Sequence, residues 1–382
     1  VIASPEDTDE AGPAGHSTAA AGGAGGGLVR RRMPAEWEPH RRTWMAFPPP
    51  NATFGPVDSP GLTQARAVWA TVARTISRYE PVILIARPGA DAAAARGLAP
   101  GPVTVVERPL DDAWVRDTGP TFTVDLPQPP GGNGRRCGGE GTLGAVDWTF
   151  NGWGAQEWAS WDADRQLAGS IAELAGAAVR SCALTNEGGG IAVDGAGTVL
   201  LTETVQRDPR RNPGWDRARV EAEVHAQLGT SHAIWLPRGL ARDYDRFGTR
   251  GHVDVVAAFV RPGLVAVHHQ PDPAHPDHET SRELAALLRA SRDATGRPFD
   301  VVEITAPRVL EVDGEPAGYS YLNYYVANGV VVAGTFEDPR DADALDLLGR
   351  LYPSRRVEPV DARVIFANGG GVHCITQQQP SC

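Results

Sequence analysis

The chain has 382 residues, 41% hydrophobic and 22% charged, which is the composition of a soluble globular protein large enough to hold a core without disulfides or metal. A formal net charge of −11 argues against nucleic acid as a partner, because phosphates call for a basic surface. No apolar run approaches the roughly 18 residues of a membrane helix.

Residues 1–32 are rich in Ala, Gly and polar side chains and have almost no large apolar ones. They cannot bury enough surface to offset ordering entropy, so a disordered arm is expected there. "RRR" at Arg30–Arg32 is followed by "MPAEWEPHRR" rather than an apolar stretch, which does not read as a twin-arginine export signal. "PVILIARP" (Pro81–Pro88) and "VTVVERPL" (Val103–Leu110) are β-branched runs bounded by Pro or Gly, hence strands. "PQPPGGNGRRCGGEGTLG" (Pro127–Gly144) reads as an exposed loop, with Cys137 an incidental thiol. "IAVDGAGTVLLTETV" (Ile191–Val205) predicts strand, Asp-Gly turn, strand, and "VDVVAAFVRPGLVAVHH" (Val253–His269) repeats that plan with a Pro-Gly turn.

Helices are expected between these hairpins. Val220, Val224 and Leu228 recur at four-residue spacing over Asp216–Leu228, which stops at Gly229. Thr280 with Glu283 reads as a capping box before Leu284, Leu287 and Leu288, and Asp341–Leu351 is amphipathic. Strand-rich blocks with one helix each begin near residues 40, 111, 181, 248 and 318. That order fits an α/β sandwich or a radially repeated α/β array. Neither "GGAGGG" in the arm nor "NEGGG" precedes a helix, so no phosphate loop is predicted.

Four short stretches could carry chemistry. "WVRDTGP" supplies Asp117, "NEGGG" supplies Glu187, "GHVD" supplies His252 and Asp254, and "GGGVHC" delivers Cys374 after backbone with no side chains to block approach. Each also has a plain structural reading: a turn former, a surface charge, a hydrogen-bonded pair on one strand face, and a small buried filler. On a strand His373 would face away from Cys374, so it is expected to be structural rather than the base. Taken together, a thiol and an imidazole are the minimum for nucleophilic catalysis. Carboxylates beside a thiol suppress the thiolate, which makes sense only if the substrate is a cation. A guanidinium is such a cation, planar and matched to carboxylates in bidentate pairs.

These motifs, in this order, resemble the agmatine deiminase family of the guanidine-modifying (pentein) superfamily. The likeness runs from "MPAEWEPHRRTWMAFP" through "DAWVRDTGPTF", "NGWG", "NEGGGIAVDGAGTVLLTE", "RNPG", "GHVD" and "YLNYYVANGVVV" to "GGGVHCITQQQP", about residues 33–380. The resemblance implies a single catalytic domain built as a five-fold pseudo-symmetric α/β propeller. It implies hydrolysis of agmatine to N-carbamoylputrescine and ammonia in the cytoplasm by a homodimer, with no cofactor and no metal. It places the nucleophile on Cys374, the acid/base on His252 and the guanidinium-binding carboxylates on Asp117, Glu187 and Asp254. Trp114 and Gly371 join Asp117 and Asp254 along the substrate.

Arg250 and Val255, flanking "GHVD", differ from the family pattern of an acidic, Thr-containing segment before and an Asn after. Free or peptidyl arginine, which carries a carboxylate, is therefore the alternative substrate. An amidinotransferase is the rival in mechanism, a papain-like peptidase a weaker one, and a non-catalytic polyamine binder the rival of another class. "HHQPDPAHPDHE" (His268–Glu279) is rich in metal-ligand types, but its prolines and irregular spacing read as a solvated connection.

Overall fold

The computed structural model describes residues 29–127, 141–309, 311–312, 315–316 and 318–382. Residues 1–28 of the arm expected over 1–32, and residues 128–140 of the expected loop with Cys137, lie outside them. Val29–Arg32, assigned to the arm on composition, instead form a strand antiparallel to Thr121–Pro127. Arginines rather than apolar side chains dock it. Arg31 donates from Nε to Asp125 Oδ1 at 3.2 Å and from Nη1 to the Ala226 carbonyl at 2.7 Å, and Arg32 pairs with Glu38.

Among the described residues, five sheets share one plan. Two antiparallel strands are followed by a helix that returns the chain to a third strand, parallel to the second. The plan is clearest in Ile191–Val193, Thr198–Thr202, helix Arg217–Leu228 and His232–Leu236. It recurs in Ala257–Arg261, Leu264–His269, helix Asp277–Ala290 and Asp300–Thr305. It recurs again in Tyr325–Ala327, Val330–Thr335, helix Asp341–Leu351 and Arg356–Asp361. Thr121–Pro127, Thr142–Thr149, helix Leu167–Ala175 and Ala178–Thr185 make another unit. The remaining unit is split. His40–Ala46, helix Pro60–Ser77 and Val82–Ala86 begin it, and its antiparallel strand is Gln377–Pro380, more than 330 residues later in the numbering.

Local chemistry explains these elements. Val82–Ala86 and Thr198–Thr202 lie between two partner strands and are buried at every position, as unbroken apolar-rich runs require. The Ser59 hydroxyl caps Pro60–Ser77 by accepting from Leu62 N, and Asp216 caps Arg217–Leu228 by accepting from Arg219 N. That second helix buries Val220, Val224 and Leu228, as their spacing predicts. The capping box at Thr280 does not form. The helix begins at Asp277, and Thr280 lies inside it, buried. The closing strand is fixed to the first unit by Trp44 Nε1, which donates to Gln379 Oε1 at 3.0 Å.

Gly176 and Gly229 both end helices at a φ of +69°, where a Cβ is strained. Space is open around Gly176, whereas a Cβ on Gly229 would sit 2.0 Å from the Arg31 carbonyl. Gly176→Ala should therefore cost about 1 kcal/mol in denaturant unfolding. Gly229→Ala should cost clearly more, because it also displaces the Val29–Arg32 strand. Equal costs for the two would show that the strand contributes nothing at this contact.

Candidate active site

Each connection between successive units delivers a side chain to one place. Trp114 and Asp117 come from the link into the second unit, Glu187 from the next and His252 with Asp254 from the next. Asn323 and then Cys374 come from the last two. All are nearly or fully buried. The loop carrying His252 is built on Asp243, whose carboxylate accepts from the backbone N–H of Thr249 (2.9 Å), Gly251 (2.8 Å) and His252 (2.9 Å). Gly251 turns the chain there at a φ of +113°, with Thr204 Oγ1 2.3 Å from where a Cβ would lie. His252 therefore precedes, and Asp254 sits on, a short 3₁₀ turn, Val253–Val255, rather than the expected strand, and both still reach one site.

The three carboxylates differ in their partners. Glu187 is held by Arg211, whose Nε lies 2.9 and 3.1 Å from its two oxygens, with both side chains fully buried. Burial pushes the Glu187 carboxyl up, but Arg211 and His252 outweigh it and leave it below its usual range. Asp254 accepts from His373 Nδ1 at 2.8 Å; against burial, His373 likewise holds it low. Asp117 receives only neutral donors, Trp153 Nε1 at 2.9 Å and Gly189 N at 3.0 Å. Burial pushes its carboxyl up to about 6, with Asp254 and Glu187 adding repulsion and His252 opposing.

His252 Nε2 lies 3.2 Å from Glu187 Oε2, and Nδ1 lies 3.7 Å from Asp117 Oδ1. Burial alone would favour the neutral ring, but Asp117, Glu187 and Asp254 raise it to about 9. Cys374 Sγ is 3.5 Å from Asp254 Oδ2 and 3.4 Å from Asn323 Oδ1. Burial, then Asp254 and Asp117, push its thiol well above the ordinary range.

Three glycines keep the space between these groups open. A Cβ on Gly189 would fall 2.5 Å from His252 Nδ1, 2.9 Å from Asp117 Oδ1 and 3.0 Å from Asp254 Oδ2. One on Gly370 would meet Trp114 at 2.7 Å and Cys374 Sγ at 3.1 Å, and one on Gly371 would meet Asn323 Oδ1 at 2.4 Å. Gly371 thus makes room for the Asn323 side chain beside the thiol. Trp114 packs edge-on to Trp69, with ring centroids 5.5 Å apart, and stacks on Phe54. Beside this space a cavity of about 90 Å³ is lined by Arg242, Asp243, Arg246, Val255, Tyr319 and Gly370, among others.

His373 departs from expectation. Residues 372–375 form a turn, and the strand begins only at Gln377, so strict alternation does not apply. His373 and Cys374 both reach Asp254. Arg211, Arg116, Asn323, Trp153 and Glu36 also shape the site and had no role assigned from sequence. Each lies inside a motif already singled out, which was the available signal. In "HHQPDPAHPDHE", His268 meets Ser320, His269 pairs with Glu303 and His278 meets the Gln270 carbonyl. Among the described residues no cluster of three or more His, Cys, Asp or Glu could hold a metal ion, and no helix is long and apolar enough to cross a membrane.

Residues 32–380 match the Porphyromonas-type peptidyl-arginine deiminase family. A Streptomyces avermitilis protein assigned as an agmatine deiminase is 58% identical over 351 residues, covering 91% of this chain and 97% of the relative. The agmatine deiminase of Pseudomonas aeruginosa is 38% identical over 372 residues, covering 92% of this chain and 95% of that protein. The structure of the Enterococcus faecalis agmatine deiminase superposes with a TM-score of 0.82 at 29% identity, covering 92% of this chain and 96% of that one.

A histidine raised by folding stabilises fully below its unfolded value of about 6.5 and loses that contribution as pH climbs through its folded value. For His252 the window is therefore about 6.5 to about 9. Unfolding stability should fall across that window, and His252→Gln should flatten the slope. An unchanged slope in the variant would contradict a charged His252.

Proposed function

The chain belongs to the Porphyromonas-type peptidyl-arginine deiminase family, and on that premise we propose that it hydrolyses agmatine to N-carbamoylputrescine and ammonia through a covalent adduct on Cys374. The observation that carries this reading is a buried cluster of thiol, imidazole and three carboxylates in which Asp117 has no cation at hydrogen-bond distance. A guanidinium entering beside Gly189 supplies that cation.

Asp117 and Asp254 fork the guanidinium nitrogens. Asp254 Oδ1 is buried without a hydrogen-bond partner and is the acceptor left for them. The bound cation relieves the repulsion that raises the thiol, so substrate generates its own nucleophile. Holding the planar carbon against Sγ supplies proximity and orientation. The thiolate attacks that carbon, and His252, anchored through Nε2 by Glu187, protonates the departing nitrogen. The resulting S-alkylthiouronium is opened by a water that gives its proton to His252.

Acting on arginine or an arginyl peptide is the second reading. Arg242 and Arg246 line the neighbouring cavity, and Arg246 packs on Phe247 at 4.7 Å while forming no ion pair among the described residues. A basic mouth suits a distal carboxylate better than the ammonium of agmatine. We read the five repeated units as blades of a pseudo-five-fold propeller with the site on its axis, supported by one site contribution from every inter-unit link. Action as a homodimer in the cytoplasm, where a free thiol stays reduced, rests on the family resemblance.

Agmatine, arginine and a blocked arginyl peptide should be offered separately while ammonia and product mass are recorded. Ammonia with a product about 1 Da heavier is expected from agmatine, and none from Cys374→Ala, whose agmatine binding persists. Turnover of arginine alone would transfer the assignment to the second reading. The kcat/KM profile should be bell-shaped, with an acid limb near 6 from Asp117 and a basic limb near 9 from His252. A profile flat between pH 5 and 10 would overturn both assignments.

A further inference from the structure

We propose that Glu36 and His373 form a relay that carries the Cys374 thiol proton out of the site through Asp254, by a path separate from His252. The inference rests on the deiminase reading above. Its geometric basis is an unbroken chain. Cys374 Sγ lies 3.5 Å from Asp254 Oδ2, the same oxygen accepts from His373 Nδ1 at 2.8 Å, and His373 Nε2 lies 2.8 Å from Glu36 Oε1. Exposure rises outward along it, the side chains of Asp254, His373 and Glu36 being 4%, 7% and 26% exposed. A second cavity, of about 30 Å³ and lined by Glu36, Asp254, His373 and Tyr324 among others, runs beside these three groups with room for a water.

His252 has no such exit. Its hydrogen-bonded partner Glu187 leads to Arg211, and both are fully buried. The charge around His252 favours a separate path as well. A His252 already charged among three carboxylates cannot also accept a proton from the thiol. Its elevated affinity for a proton, which burial opposes and the three carboxylates create, agrees with this. The charged groups facing His373 are Asp254, Glu36 and Arg116, the last donating to the His373 carbonyl and pairing with Glu36 at 3.4 Å. With a carboxylate at each ring nitrogen, neutral His373 can accept a proton at Nδ1 and give one up from Nε2.

The balance closes. The S–H bond breaks and its proton moves to Asp254 Oδ2. His373, in its neutral Nε2–H form, takes it at Nδ1 while releasing the Nε2 proton to Glu36 and thence to solvent, and rotation of the ring restores that form. Sulfur bonds the guanidinium carbon, the C–N bond breaks, and His252 supplies the third hydrogen of ammonia. Water then adds to the thiouronium carbon. One of its protons restores His252 and the other leaves with sulfur, regenerating the thiol.

Glu36→Gln keeps an oxygen acceptor for His373 but no proton carrier. Turnover should fall about tenfold or more with KM held within about threefold, and added formate at constant ionic strength should restore kcat in a saturable way. His373→Gln should lose turnover similarly, without rescue by formate, because the break lies deeper in the chain. Unchanged kcat in Glu36→Gln, or a loss indifferent to formate, overturns the relay. The variants are scored on whichever of agmatine, arginine and the arginyl peptide the wild-type protein deiminates, so a wrong substrate leaves the relay test standing. A wild-type protein inert on all three overturns the relay and the deiminase reading together.

Discussion

Three carboxylates buried within reach of one another repel, and the site is organised by how that repulsion is relieved. Glu187 has Arg211 and Asp254 has the His373 ring, each at hydrogen-bonding distance. Asp117 is left with an indole and a backbone N–H. Burying carboxylates is costly unless each is paired, so leaving one short of a cation prepares the site for a cationic guest. The loops follow from the same constraint. Arg211 also donates to the Thr249 carbonyl at 2.8 Å, which ties the charge pair to the segment presenting His252.

The resting protonation states follow from this arrangement. Burial, then the carboxylates of Asp254 and Asp117, make the thiol keep its proton, while the three carboxylates around His252 favour its charged form against burial. An empty site is therefore chemically quiet. In the proposed mechanism reactivity waits for a cation of the right shape, and a buried, protonated thiol is a poor target for stray electrophiles and oxidants.

The alternation of strand and helix was legible because each unit carries its own periodicity and turn residues, as in Arg217–Leu228 between its Asp and Gly caps. The chemical groups Asp117, Glu187, His252, Asp254 and Cys374 were legible because each stands in a short, unusual motif. Their supports were not. Arg211 and Glu187 are 24 positions apart, and Glu36 and His373 are 337 apart, so nothing local marks them as pairs. The direction of His373 was misjudged because a turn follows three glycines where a strand was assumed. The helix start at Asp277 was misjudged because a capping-box pattern has no force once the turn before it is already helical. The strand Val29–Arg32 was missed because its docking is ionic, and composition counts only apolar surface.

The split first unit bears on how the molecule is made. Gln377–Pro380 must find His40–Ala46, the most distant strand pairing among the described residues, and loop closure on that scale comes late. Cys374 lies three residues before that strand, so its thiol is seated among the carboxylates only when this pairing forms. During synthesis, a ribosome-bound chain whose residues 374–380 have not emerged carries carboxylates and imidazole but no thiol at their centre. On the proposed function, catalytic competence is thus tied to completion of folding.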